Sequence, residues 1–71
     1  MRGEFLDAIT VATMIPDPEM SMSIDIVFGD SDEDIEAFLS IMEDVNGPIG
    51  ITVKDVRECE LLSDLFEAIA K

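Results

Sequence analysis

Residues 19–28 show the clearest pattern in the chain, an alternation of apolar and polar side chains. This period of two residues predicts a strand with one face exposed to water. Its apolar members are Met20, Met22, Ile24, Ile26 and Phe28. Residues 5–15 are apolar at both parities and rich in Ile, Thr and Val, which is typical of a central strand. Residues 16–19 contain two prolines, which cannot donate ladder hydrogen bonds, so we expect a hairpin turn between the strands.

A helix is predicted over residues 31–45. Apolar residues recur there at spacings of three and four, which is the pattern of a helix with one buried side. These residues are Ile35, Phe38, Leu39, Met42 and Val45. Asp30 or Ser31 is expected to cap the amino end. The sequence Asn-Gly-Pro at residues 46–48 should end the helix, because Asn or Gly suits a left-handed cap and Pro cannot continue a helix.

Residues 48–54 are expected to form a third strand, with Ile49, Ile51 and Val53 on one face. A second helix follows, so the predicted order is ββαβα, and we expect one α+β domain covering residues 1–71. The strands that flank the first helix should be parallel, with the doubly apolar strand between them. The predicted sheet is therefore mixed and three-stranded, in the order 2-1-3, with both helices packed on one face.

The second helix should begin at Asp55. Its carboxylate can cap the helix while Glu58 reaches back to the cap, as in a capping box. The inner side of this helix is expected to contain six apolar residues: Val56, Cys59, Leu62, Leu65, Phe66 and Ile69. Cys59 is therefore expected to be a buried and unreactive thiol.

The uncovered face of the predicted sheet is the expected surface for self-association. Its residues are small or weakly polar, so a second copy would approach closely about a twofold axis. They are Ala8, Thr10, Ala12, Met14, Val27, Gly50 and Thr52. A homodimer through this face is one expectation, although two strongly acidic chains repel each other.

The charge of the chain limits its partners. The formal net charge is −13, from 17 acidic and 4 basic residues, and no basic residue occurs between Gly3 and Val53. Long-range repulsion therefore opposes direct binding to nucleic acid or to an anionic membrane. We expect a charged partner to be a basic protein surface or a cation.

Five carboxylates are concentrated in residues 30–36, and three interpretations of them remain open. The first is the start of a helix, where unpaired N–H groups and the helix dipole favour acidic residues. The second is a calcium or magnesium site formed by Asp30, Asp32 and Asp34, since such cations bind carboxylate oxygens of flexible loops. The third is a docking surface for a partner.

The exposed side of the first helix is predicted to be an acidic face. It consists of Asp32, Glu33, Glu36, Glu43 and Asp44. Like charges four residues apart destabilise a helix, so fold stability does not require this pattern. Two explanations of this acidic face remain open. One is solubility or adaptation to a salt-rich cytosol, and the other is docking of a basic partner. A narrower docking hypothesis is a nucleic-acid mimic, because carboxylates one turn apart are separated by about 5–6 Å, near the spacing of phosphates.

Catalytic chemistry is not indicated. The chain has no His, no glycine-rich phosphate loop and no nucleophile or zinc motif. We therefore expect a protein that acts by binding, without a cofactor and without enzymatic activity. A single Cys cannot form an internal disulfide, which favours a cytoplasmic protein. No apolar run approaches the ~18 residues of a membrane span.

Overall fold

The structure, a computed structural model, describes residues 2–70. Within this range the chain forms five helices and no sheet. The helices are α1 (Arg2–Thr13), α2 (Ile24–Phe28), α3 (Asp32–Asn46), α4 (Val53–Glu58) and α5 (Leu62–Ala70). The predicted α+β fold, with its three-stranded sheet in the order 2-1-3, is therefore wrong. None of the helices in this range has the length and apolar character needed to cross a bilayer.

Helix α1 occupies the segment predicted to be a central strand. Phe5, Ala8 and Ile9 are buried on one side of it, at the spacings of three and four residues that a helix requires. Thr10 and Thr13 are β-branched and therefore have low helix propensity. Within α1 their hydroxyls donate to the carbonyl oxygens four residues earlier, at 3.2 and 2.7 Å. Packing of this apolar side against α3 outweighs the strand propensity of the segment.

Helix α2 and the loop before it replace the predicted alternating strand. Ser23 caps the helix, because its Oγ accepts a hydrogen bond from the N–H of Asp25 at 3.2 Å. The buried residues are Ile24, Val27 and Phe28. Ile26, which the alternation placed on the core side, is 73% exposed. The strand prediction was wrong because it left out Val27. The buried residues Val27 and Phe28 follow Ile24 by three and four positions, which is a helical spacing.

A short antiparallel bridge is the only trace of strand pairing in the described range. It joins Ser23 to Leu61, and backbone hydrogen bonds of 3.0 and 2.9 Å flank the pair. The bridge connects the segments that lead into α2 and α5, and so fixes the positions of both helices.

Helix α3 confirms the helix predicted over residues 31–45. Ser31 caps it, since the Ser31 Oγ accepts from the N–H of Asp34 at 3.3 Å. Gly47 ends it with a φ of 79° and donates its N–H to the carbonyl of Glu43 at 2.7 Å. The buried residues are Ile35, Phe38, Leu39 and Met42. Val45, predicted to be on the inner side, is 52% exposed.

Residues 48–52 form an irregular loop where the third strand was predicted. Gly50 has a φ of 67°, a left-handed conformation that a regular strand does not contain. Ile49 and Ile51 still pack against the core, although neither is fully buried. The loop therefore contributes to the core without pairing to another segment.

The predicted second helix is divided into α4 and α5. Thr52, and not Asp55, caps α4. The Thr52 Oγ1 accepts from the N–H of Asp55 at 3.3 Å, and the Asp55 Oδ2 accepts from the N–H of Thr52 at 3.0 Å. Helix α4 ends at Glu58, and α5 begins at Leu62. Just before α5, the N–H of Leu61 donates to the Oδ2 of Asp64 at 3.1 Å.

Four phenylalanines meet at the centre of the molecule. The ring of Phe38 lies 5.5 Å from that of Phe5, edge to face, and 5.8 Å from that of Phe28. Phe66 lies 5.2 Å from Phe5 in a similar edge-to-face arrangement. Through these rings α1, α2, α3 and α5 contribute to one core, with Phe38 of α3 in contact with two of the other three rings.

The residues predicted to form a dimer face do not share a surface. Ala8 and Val27 are buried in the core, whereas Met14 is 86% exposed. Thr10 and Ala12 are partly buried on α1. The homodimer hypothesis depended on a flat sheet, and residues 2–70 contain no sheet to supply one.

Candidate interaction surface

The acidic face predicted from the sequence lies on the exposed side of α3. All five of its residues are exposed, namely Asp32, Glu33, Glu36, Glu43 and Asp44. Because a helix turns by about 100° per residue, these side chains fall within an arc of about 120°. They extend over about 18 Å along the helix axis. The buried residues of α3 lie outside this arc, so the acidic face takes no part in the core.

Arg57 of α4 supplies a base that α3 itself lacks. Its Nε and Nη2 donate to the Oδ1 of Asp32 at 3.2 and 2.8 Å, and its Nη1 donates to the carbonyl oxygen of Gly29. No local pattern in the sequence predicts this contact, because Asp32 and Arg57 are 25 positions apart. Arg57 therefore links α4 to the turn that precedes α3 and neutralises one end of the acidic face.

The rest of the acidic face is not paired with any base whose side chain the structure describes. Of the bases whose side chains the structure describes, Lys54 forms no ion pair and Arg57 pairs with Asp32 alone. Asp32 and Glu33 lie in the first turn of α3, where the helix dipole favours carboxylates. Residues 2–70 also form no pocket, so a partner would meet the convex surface of the helix.

The three carboxylates predicted as a cation site do not converge. No group of three or more potential metal-binding side chains occurs in the part of the chain that the structure describes. Asp30 lies in the turn before α3, while Asp32 and Asp34 are two residues apart on the helix and so point about 160° apart. In addition, the carboxylate of Asp32 forms an ion pair with Arg57. The geometry therefore gives no support to calcium or magnesium binding by these residues.

We expect Arg57→Gln to lower the free energy of unfolding by about 1–2 kcal/mol, since it removes both the ion pair and a charged hydrogen bond to Gly29. The ion pair should account for the smaller part, because the Asp32 side chain is 67% exposed and water screens the attraction. Urea unfolding followed by circular dichroism measures the loss. Lys54→Gln is a matched control on the same helix, and equal effects of the two variants would contradict a specific role for Arg57.

Cys59 was predicted to lie on the buried side of a continuous helix, and this prediction was wrong. It follows the last residue of α4, is partly exposed, and its Sγ donates to the carbonyl oxygen of Asp55 at 3.4 Å. Partial burial raises the pKa of its thiol, and the carboxylates of Asp64, Asp55 and Glu58 raise the pKa further. The thiol is accessible, but its reactive thiolate form is disfavoured.

We expect Cys59 in the folded protein to react with iodoacetamide several-fold more slowly at pH 8 than in the urea-unfolded protein, because the thiolate is the nucleophile. The two rates should approach each other as the pH rises through the raised pKa. Stability should fall over the same range, above the ordinary thiol pKa of about 8.5, because the unfolded chain loses the proton first. A native rate at pH 8 equal to the unfolded rate would contradict this assignment.

Comparison with known proteins does not assign this chain to a family. No protein-family model, curated protein or solved structure matches it. The function is therefore inferred from the geometry and charge of the chain itself.

Proposed function

We propose that this chain is a small acidic interaction module that binds a basic protein surface through the acidic face of α3. The observation that carries the proposal is the distribution of charge on this helix. Its exposed side bears five carboxylates, and among the described side chains one of them, Asp32, is paired with a base. The other four are accessible to Lys and Arg side chains of a partner.

Glu43 and Asp44 are the members of the acidic face that helix stability explains least. They lie near the carboxyl end of α3, where a carboxylate interacts unfavourably with the helix dipole, at a cost of about 0.3–1 kcal/mol each. The last turn of α3 contains no basic residue to offset this cost. A basic partner would remove the repulsion on binding, which is why their position supports a docking function.

A nucleic-acid mimic is the narrower form of this proposal. The exposed positions Asp32, Glu36, Ser40 and Asp44 repeat once per turn, at about 5–6 Å. Ser40 interrupts the charges, and Asp32 is paired with Arg57. The row therefore resembles a phosphate backbone over a single step, from Asp32 to Glu36, and general docking to a basic protein is better supported than mimicry.

Charge-matched variants test the docking function. The probe is a synthetic helical peptide of Ala and Lys, whose binding is measured by fluorescence anisotropy at low salt. We expect Glu36→Gln/Glu43→Gln to weaken binding about tenfold, if each exposed charge pair contributes about 0.7 kcal/mol. The control is Glu60→Gln/Glu67→Gln, which makes the same change in net charge at exposed acidic residues outside α3.

The control separates docking from a general effect of charge. An acidic surface that serves solubility alone predicts equal losses of affinity for the two double variants. Binding should also weaken steeply as salt is added, because the attraction is between exposed charges. If the unmodified chain does not bind the peptide at low salt, the proposed function is wrong.

A further inference from the structure

The solvent side of α3 carries a second feature beside the acidic face. Residues four apart on a helix form a ridge, and α3 presents two neighbouring ridges to solvent. One consists of Asp32, Glu36, Ser40 and Asp44, and the other consists of Glu33, Ala37, Ile41 and Val45. We call the last three residues of the second ridge the apolar ridge. Ala37 is exposed, Ile41 is partly buried and Val45 is 52% exposed.

The apolar ridge is not explained by the core. The buried residues of α3 already occupy its inner side, and they are Ile35, Phe38, Leu39 and Met42. Ile41 contacts the edge of the core, but Ala37 and Val45 extend the ridge into solvent. Val45 is exposed beside Asp44, and Ile41 and Ala37 continue it along α3 as a contiguous apolar row, which distinguishes it from a single exposed apolar side chain.

We propose that the two ridges together bind an amphipathic basic helix of a partner protein. This proposal rests on the docking function proposed above. The partner's apolar residues pack on Ala37, Ile41 and Val45, while its Lys or Arg residues reach the carboxylates of the neighbouring ridge. Helices pack by inserting the ridges of one into the grooves of the other. The groove between an apolar ridge and an acidic ridge therefore fits a helix with adjacent apolar and basic rows.

Charge complementarity decides the kind of partner. A second copy of this chain would bring two bodies of net charge −13 together, with acidic ridges facing one another. An anionic membrane is disfavoured for the same reason. A basic helix is instead attracted to the carboxylates that border the apolar ridge, namely Glu33, Glu36 and Asp44.

Two synthetic helical peptides of equal length and equal positive charge test this inference. One contains Leu at every fourth position beside a row of Lys, and the other has Ala in place of each Leu, which preserves helix formation. We expect the Leu/Lys peptide to bind about tenfold more tightly than the Ala/Lys peptide, because its side chains cover the apolar ridge.

Variants show whether the apolar ridge is the site. Val45→Ser should weaken binding of the Leu/Lys peptide about fivefold and leave binding of the Ala/Lys peptide unchanged. Ile26→Ser is the matched control, since Ile26 is also a large exposed apolar residue but lies on α2. Both positions are largely solvent-exposed, so the variants are expected to fold, and circular dichroism checks this.

The outcomes distinguish this inference from the docking function. If Val45→Ser and Ile26→Ser have equal effects, or if the two peptides bind equally, the apolar ridge is not part of the site. The docking function still stands in that case, provided that Glu36→Gln/Glu43→Gln weakens both peptides. If neither peptide binds at low salt, both proposals are overturned.

Discussion

Phe38→Ala should lower the free energy of unfolding by about 3–5 kcal/mol, the usual cost of removing a buried aromatic ring and leaving a cavity. Phe38 is fully buried, and its ring centroid lies 5.5 Å from that of Phe5 and 5.8 Å from that of Phe28. A domain of 71 residues has a total stability of only about 4–11 kcal/mol. The substitution therefore removes a large share of that stability, and a parent stability at the lower end of this range would leave the variant partly unfolded near 25 °C.

Urea unfolding followed by far-UV circular dichroism is the suitable measurement, since the chain has no Trp or Tyr for fluorescence. Ile26→Ala is the control. It also shortens a large apolar side chain, but at an exposed position, so we expect a change within about 0.5 kcal/mol. If Phe38→Ala costs no more than the control, the packing of α3 against α1 and α2 does not depend on this ring.

Salt should stabilise the fold strongly. Folding confines 13 excess negative charges within a radius of gyration of 10.5 Å, compared with about 26 Å for an unfolded chain of this length. Two charges 20 Å apart in water repel by about 0.2 kcal/mol, so the many pairs together oppose folding by several kcal/mol. We expect the Tm to rise by about 10–20 °C between 10 mM and 500 mM NaCl.

The shape of the salt dependence identifies its cause. Screening changes most at low ionic strength, as the Debye length falls from about 30 Å at 0.01 M to about 10 Å at 0.1 M. Most of the rise in Tm should therefore occur below about 0.2 M NaCl. A rise confined to molar salt would indicate a general effect on apolar burial. A flat profile would show that the excess charge does not oppose folding.

Helix α3 could be predicted from the sequence because each local signal there agreed. Ser31 offered a cap, the apolar residues kept a helical spacing over about three turns, and Asn46 with Gly47 supplied the end. The acidic face followed directly, since residues outside the apolar spacing must face solvent. What the sequence did not show was Arg57, which the fold brings to Asp32 from 25 positions away.

The first two predicted strands, over residues 5–15 and 19–28, were wrong for a common reason. Each segment is short and apolar, and a short apolar segment fits a period of two nearly as well as a helical period. In α1, Ile9, Thr10 and Val11 have strand propensity, but burial of Phe5, Ala8 and Ile9 together requires a helix. In residues 48–52, the positive φ of Gly50 prevents a regular strand.

The sequence by itself determined the position of α3 and most of its buried side, the excess of negative charge and the side of α3 on which carboxylates are exposed. These depend on the identity of residues within about 15 positions of one another, which is the range over which a hydrophobic pattern can be read. Only the tertiary structure decided that α1 and α2 are helices, that α4 and α5 are separate, and that Arg57 neutralises Asp32. Those features depend on which distant residues become neighbours, because the free energy of burial against them exceeds the small differences in local propensity.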